Sequence, residues 1–547
     1  MALRDELGYR RRMASKRAFP IVLCVLLLAA AAPHSWAGTL KGSVGHHSRY
    51  EILKGHNVKS TPDEYELDVM PVMKHWYGGK KPSTPKVVMV LVPGFFGGTE
   101  NFAYTGERLV ERFHRMQVWV VERRNNLLEN RCGMEHAQKS GYSATQLMAL
   151  YYLSGSPSFT GCPEASDEAD PNVWDGVANE HSLSQTEAAD VGMADWGLET
   201  ELKDIRAVVR DARKEYPNAK VVLGGHSLGG MTTQLYAGWR FGRKASSAGW
   251  KTIDGVVLID GAVNGPGWTD EMVPQSFATR AMTEAGQFYW DDLDGGPILG
   301  LLAEFGALAA IQSPDVESFI WTSLVPPLTW PFANTCPTNR AAFAALTDDQ
   351  YGFSSTFELH QGDVSGPLPG PLGGTKKCSI PNQTRDLVGW LDFDEVVEGQ
   401  QEISSTDVWA HSMVDSTATN GVEWYFSTVL SADIDLASNL DATAEYTHED
   451  MTTTAEAVYG LREFDTAAVK VPVYGFIASF CRANYDWYKD QATSVASFRY
   501  VDRSAEHCSE PSGDPYGHVD PLFAADEGGH TNDFFATLVK WVKEKVL

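Results

Sequence analysis

A mostly parallel α/β sheet, flanked by helices and broken by one large insertion, is the architecture this 547-residue sequence predicts. Three observations predict it. Short apolar runs rich in β-branched residues recur along the chain and end at Gly, Pro or Asp, the pattern of strands buried on both faces. Helical periodicity fills the intervals, and strands alternating with amphipathic helices form a parallel sheet covered on both sides. Between the fourth and fifth runs the alternation stops for about 200 residues, the size of a domain. The composition agrees: 43% hydrophobic and 11% aromatic residues suffice for a large core and exclude a disordered or fibrous chain.

Residues 1–37 read as a signal peptide. Arg10, Arg11, Arg12, Lys16 and Arg17 precede the apolar run Ala18–Ala32, and "HSWA" ends in small residues suited to cleavage. The run is shorter than the ~20 residues of a spanning helix and nothing comparable follows, so no stable membrane span is expected. The expected location is secreted, periplasmic or extracellular, with an uncleaved anchor as the alternative. Without residues 1–37, which hold six basic and two acidic residues, the chain keeps 39 Lys and Arg against 69 Asp and Glu, a formal charge of −30. Such a surface repels nucleic acid and suits a soluble protein; attraction of a cationic substrate is the weaker reading.

The part from 38 to 264 is the first half of the core. Its runs are "KVVMVLV" (86–92), "QVWVVE" (117–122), "KVVLG" (220–224) and "GVVLID" (255–260). Leu198, Leu202, Ile205, Val209, Ala212 and Tyr216 recur at steps of three and four, one apolar helical stripe, and Pro217 follows its end. A polar interruption spans roughly 127–190. The large insertion, 265–467, carries apolar stretches such as "GPILGLLAEFGALAAI" beside Pro- and Gly-rich loops, and reads as a cap or lid with its own core as the plain alternative. Residues 468–547 complete the core with "VPVYGFIA", "SVASFRYV" and the helical "DFFATLVKWVKEKV".

Six cysteines remain beyond Cys24, an even number that with secretion favours disulfides. They fall into three sequential pairs, Cys132 with Cys162, Cys336 with Cys378, and Cys481 with Cys508, each inside one segment of the chain. None has the short paired spacing of a zinc site and no HExxH occurs, so neither metal nor cofactor is implied. "NQT" at Asn382 is a possible glycosylation acceptor.

The stretch "VVLGGHSLGG", 221–230, sets one serine among four glycines. A tight turn from a buried strand into a helix holds its central side chain away from the sheet, and side chains at Gly225 and Gly229 would strike the adjoining strand and helix. Gly-x-Ser-x-Gly is thus a steric solution to exposing one hydroxyl, and the helix that follows aims its positive end at an anion formed there. Ser227 is placed as a nucleophile.

Through these residues the chain resembles the α/β-hydrolase fold superfamily, in its lipase and esterase branch, over 86–264 and 468–547. The resemblance implies a Ser, acid, His order and two backbone N–H groups for an oxyanion. Leu228 is the first donor. "VPGFFGG" is similar to the family's His-Gly-x loop with Pro93 in place of His, which makes Phe95 the second donor, with Phe96 as the alternative. "DPYGHVDPLFA" resembles the family's late Gly-His-x-Asp sequence and marks His518 as the base, while His530 reads as a cap or loop residue and His226 as a residue that packs or lines the pocket. For the acid, Asp260 at the end of "GVVLID" resembles the placement in pancreatic-type lipases, and Asp486 is the alternative.

The expected function is hydrolysis of a small-molecule carboxylic ester or acyl substrate through an acyl-serine intermediate. An amidase, peptidase or acyltransferase would use the same triad, and a secreted binding protein on the same fold would need neither Ser227 nor His518.

Overall fold

The computed structural model describes residues 45–61, 67–79, 82–95, 97–124, 143–146, 192–242, 244–263, 272–285, 297–319, 332, 335–351, 359–370, 374–379, 385–396, 402–415, 430, 432–434, 436–437, 466–479, 482–504, 516–526 and 529–547. The leader 1–37, nearly all of 127–190 with Cys132 and Cys162, Phe96, Asn382, Cys481 and Cys508 lie outside them.

In chain order the strands are β1 His46–Lys54, β2 Val69–Tyr77, β3 Val87–Val92, β4 Met116–Val121, β5 Lys220–His226, β6 Gly255–Ile259, β7 Thr335–Pro337, β8 Gly362–Pro367, β9 Asp386–Asp392, β10 Val473–Ile477 and β11 Phe498–Asp502. The main helices are α1 Ala103–Arg112, α2 Leu198–Glu215, α3 Leu228–Gly238, α4 Met272–Glu284, α5 Pro297–Gln312, α6 Asn339–Thr347, α7 Thr406–Asp415, α8 Arg482–Gln491 and α9 Asp533–Trp541. Eight strands form one sheet in the order β1-β2-β4-β3-β5-β6-β10-β11, in which only β2 runs against the rest.

The apolar runs became strands because both of their faces are covered. Every residue of β3, β4, β6 and β10 is buried. Alternate side chains leave opposite faces of a strand. Val88, Val90 and Val92 accordingly enter one core cluster, and Val87, Met89 and Leu91 the other. The stripe of α2, Leu198, Leu202, Ile205, Val209 and Ala212, fills the first cluster; Leu109 and Val110 of α1 and Phe534, Leu538 and Trp541 of α9 fill the second. Each Val, Leu, Ile or Phe side chain among them, taken fully from water, contributes about 1.5–3 kcal/mol.

Two features were not expected from the sequence. The β1–β2 pair extends the sheet at one edge, where β1 is largely exposed and β2 carries Pro71, and both traits weaken a strand signal. A small sheet, β7-β9-β8, sits inside the insertion, built from strands as short as Thr335–Pro337. The Cys336–Cys378 disulfide ties β7 to the loop before β9. The helix after Ser227 begins at once at Leu228 and ends at Gly238, and Trp239 is already extended (φ −66°, ψ 136°).

The insertion's described helices do not stand apart. Phe305 and Leu308 of α5, Phe343 of α6 and Trp409 and Met413 of α7 belong to the second core cluster with α1 and α9, while Phe332, Ala341, Val388 and Trp390 make a smaller cluster of their own. Polar contacts tie the insertion to loops that leave the carboxyl ends of the strands. Ser412 Oγ donates to the Glu100 carbonyl at 3.3 Å, just beyond β3, and Ala525 N donates to the Ile403 carbonyl at 2.8 Å, beyond β11.

Candidate functional site

Ser227 closes β5 with φ 52° and ψ −122°, a left-handed conformation that a non-glycine residue adopts only when its surroundings impose it. The surroundings are backbone. A Cβ at Gly225 would run into the Gly229 carbonyl, one at Gly229 into the Val92 carbonyl, and one at Gly261 into the carbonyl of Ser227. Ser227 N donates to the Ile259 carbonyl at 3.0 Å, and the Ser227 carbonyl accepts from Gly230 N at 2.9 Å and Met231 N at 3.1 Å. The turn is therefore stitched both to β6 and to the first turn of α3. At a helix start the first N–H groups have no intrahelical partner, so the Leu228 amide lies where the helix dipole is positive.

Asp260, one residue past β6, has the other positive φ of a non-glycine residue among the described residues, 39°. Its fully buried carboxylate accepts from Ala478 N at 2.7 Å and Ser479 N at 3.1 Å at the end of β10, and from His518 Nδ1 at 2.6 Å. That last bond joins residues 258 apart in sequence and sets the tautomer, leaving Nε2 of His518 as the ring's other nitrogen. Tyr485 of α8 braces the same corner: its hydroxyl donates to the Phe476 carbonyl at 3.1 Å and accepts from Gly261 N at 2.9 Å.

His226 is more than a packing residue. Its Nε2 donates to the His518 carbonyl at 2.8 Å, and the two rings lie 4.6 Å apart, centre to centre. Burial, and then the neighbouring His518, hold its pKa well below the usual imidazole value, so it is a neutral donor. The residue beside the serine thus fixes the backbone of His518.

The loop after β3 approaches Ser227 closely. A Cβ on Gly94 would meet Ser227 Cβ and His226 Nδ1, each at 3.0 Å. Phe95 is half-buried against both core clusters. Fully buried Arg123, just beyond β4, holds this loop from behind: Nη1 donates to the carbonyls of Gly94 at 2.8 Å and Gly97 at 3.1 Å, and Nη2 to that of Pro93 at 2.5 Å. Its ionic partner is Glu201 of α2 at 3.5 Å, which burial pushes up to about 7 against the pull of the guanidinium.

The structure brings Asp260 to His518 and sets Asp486 apart. Asp486 lies half-buried on α8, accepting from Arg482 Nε at 3.2 Å and from the Tyr500 hydroxyl at 2.9 Å. His530 is exposed and stands edge-on to Phe393 at 5.2 Å; the cap of α9 is Asn532, whose side chain accepts from Phe534 N and Phe535 N. Arg123, Tyr485 and Asp520 were not singled out from the sequence. Asp520 alone had a local signal, as the last residue of Gly-His-x-Asp.

Asp348, Asp349 and Glu402 bring carboxylate oxygens within 4.8 Å of one another. Burial first, then the neighbouring carboxylates, push Asp348 up to about 8 and Glu402 up to about 7. Glu317, Cys336 and Cys378 also lie close together, but both sulfurs are bound to each other.

A hydroxyl on a strand-to-helix turn, an imidazole oriented by a buried carboxylate and backbone N–H groups at a helix start are the parts that acyl transfer to serine uses. A mainly parallel sheet of this strand order, with a strained serine between its fifth-ranked strand β5 and the helix that follows, defines the α/β-hydrolase fold. No family model and no curated protein matches the chain. Solved structures similar to it include a candidate lipase from Sulfolobus solfataricus, 13% identical with a TM-score of 0.40 over 93% of this chain and 99% of that one. An epoxide hydrolase from Vigna radiata is 12% identical with a TM-score of 0.36, covering 93% and 100%. A soluble variant of monoglyceride lipase from Saccharomyces cerevisiae, complexed with a substrate analogue, is 10% identical with a TM-score of 0.32, covering 94% and 99%. These likenesses are distant, and the class stands on the strand order and the turn at Ser227.

Proposed function

We propose that the protein is a secreted serine hydrolase that cleaves a carboxylic ester of a small-molecule substrate. The observation that carries this reading is the 2.6 Å bond from His518 Nδ1 to the buried Asp260 carboxylate, at the sheet edge where the glycine-walled turn presents Ser227. Ser227 Oγ attacks the ester carbonyl while His518 Nε2 takes its proton. The oxyanion is held by the N–H groups of Leu228 and Phe95, and the imidazolium, stabilised by Asp260, returns the proton to the departing alcohol. Water, deprotonated by the same imidazole, then releases the acid and restores the serine.

Secretion is supported by the basic-then-apolar segment at 10–32 and by the Cys336–Cys378 disulfide, which persists in oxidising compartments. Residues 265–467 act as a cap over the carboxyl edge; their contacts with the loops beyond β3 and β11 support that role.

The test is turnover of short p-nitrophenyl esters and anilides by the mature protein, together with labelling by a fluorophosphonate. Ester cleavage with Ser227 labelled is the expected result, and Ser227→Ala should lower kcat by ~10⁴-fold or more in a folded protein. Anilide cleavage favoured over ester would move the reading to an amidase or peptidase. Near-native turnover in Ser227→Ala would overturn it, and no turnover or labelling at all would leave a binding protein on this fold.

A further inference from the structure

Asp520, two residues beyond His518, is fully buried, and its carboxylate accepts four hydrogen bonds. One is local, from Gly517 N at 2.7 Å, which closes the turn that carries His518. The other three come from the insertion: His360 N at 3.1 Å and Ser404 Oγ at 2.5 Å reach Oδ1, and His360 Nδ1 reaches Oδ2 at 2.5 Å. The insertion side of this contact is itself fastened, because the His360 carbonyl accepts from Ile403 N at 2.9 Å and Ser404 N at 2.8 Å. Ser404 then bridges to Ala524 just after the single helical turn Asp520–Phe523. A residue of the insertion is thus bonded to the same four-residue turn that holds the base.

We propose that His360 is a positioning residue for His518: by gripping the Asp520 carboxylate it fixes the Gly517–Asp520 turn, and with it the orientation of the His518 imidazole against Asp260. The proposal rests on the hydrolytic reading of Ser227, His518 and Asp260. His360 faces Asp520 on one side and Asp349 on the other, its Nε2 lying 3.6 Å from the Asp349 carboxylate, with Glu402 also nearby. Burial would lower its pKa, but these carboxylates, Asp520 first, raise it to about 10, so the ring is a cation at neutral pH and its bond to Asp520 is charge-assisted. Two anchors therefore hold His518: His226 bonds its carbonyl, and His360, from the insertion, holds the Gly517–Asp520 turn that contains it. The cap is in this way part of the machinery that sets the base, in addition to any role it has over the substrate.

Asp520 would be left as an unpaired buried charge in His360→Ala, so His360→Asn, whose amide can still donate to Asp520, serves as a second variant. Three quantities are measured: kcat and KM on p-nitrophenyl acetate, the rate of fluorophosphonate labelling, and the downfield proton resonance of His518 Nδ1. In His360→Ala, kcat and labelling should fall ~10–100-fold while KM stays within about twofold, and the resonance should shift or broaden. His360→Asn should fall between the two, and added imidazole should restore part of the rate to His360→Ala. Wild-type kcat, labelling and resonance in either folded variant, whatever its melting temperature, would overturn the proposal and reduce the contact to a structural tie. If the wild type neither turns over esters nor is labelled, the hydrolytic reading falls, and the resonance alone decides whether His360 orients His518.

Discussion

Arg123 Nη1 donates to the carbonyl oxygen of Gly94 across 2.8 Å, from a side chain that has no exposure to solvent. Gly97 N donates to the same carbonyl at 3.0 Å, and the loop passes so close to the nucleophile turn that a Cβ on Gly94 would stand 3.0 Å from the Ser227 Cβ. The buried guanidinium is therefore a brace for the loop that carries Phe95. In Arg123→Lys the charge opposite Glu201 survives but the fork that reaches three carbonyls does not. The expected result is a folded protein, by circular dichroism, whose kcat on p-nitrophenyl acetate is ~10–100-fold lower. Wild-type kcat in that variant would mean the loop keeps its place without the fork.

The two carboxylates weighed as the acid are separated by a paired substitution. Asp260→Asn preserves shape but presents an amide where His518 Nδ1 needs an acceptor, and a drop in kcat of ~10⁴-fold is expected. Asp486→Asn alters the contacts with Arg482 and Tyr500, which are its partners among the described residues, and should leave kcat within about twofold. The reverse ranking, measured on the same ester, would assign the acid to Asp486.

Gly229 tests the sterics of the turn. The carbonyl of Val92 occupies the space a Cβ would need, and as backbone of a fully buried strand it has no rotamer to escape to. Gly229→Ala should cost ~1–3 kcal/mol, seen as a lower midpoint in urea. An unchanged midpoint would show that the turn can relax around a methyl group.

The acidic cluster of the insertion predicts a pH dependence. Burial, with Asp349 and Glu402 beside it, raises Asp348 to about 8, whereas in the unfolded chain it titrates near the usual value of about 4. The folded state therefore keeps a proton that the unfolded state has released, and stability falls as pH rises through that window. Asp348→Asn removes the loss. The melting temperature of this variant should match the wild type near the lower limit and exceed it by a growing margin up to about pH 8. A margin greatest in acid would contradict the protonated state of Asp348.

Cutting out 265–467 is a poor probe of the cap. Phe305, Leu308, Trp409 and Met413 pack in the same core cluster as Phe534 and Trp541, so excision would bare the core under α1 and α9, and loss of folding is the expected outcome in a soluble-expression assay. Point substitutions at the cap's polar contacts avoid that damage.

Strands β3, β4, β5, β6, β10 and β11, the helix α2 and the turn at Ser227 could be read from the order of residues, because each depends on interactions over a few positions. A run such as Val87–Val92 needs burial on both faces whatever it packs against, and Gly225 and Gly229 are required by the shape of the turn itself. The pairings that make the site are of another kind. Asp260 and Asp486 were both open choices, because a carboxylate's partner across 258 residues is set by which strands lie side by side, here β6 next to β10. Arg123 resembled any surface charge until the loop after β3 folded over it, and His360 stood among unremarkable insertion residues until the chain brought it to Asp520, 160 positions away. Side-chain chemistry and local sterics are written residue by residue, but a buried charge finds its counter-charge only when the sheet closes and removes water from both.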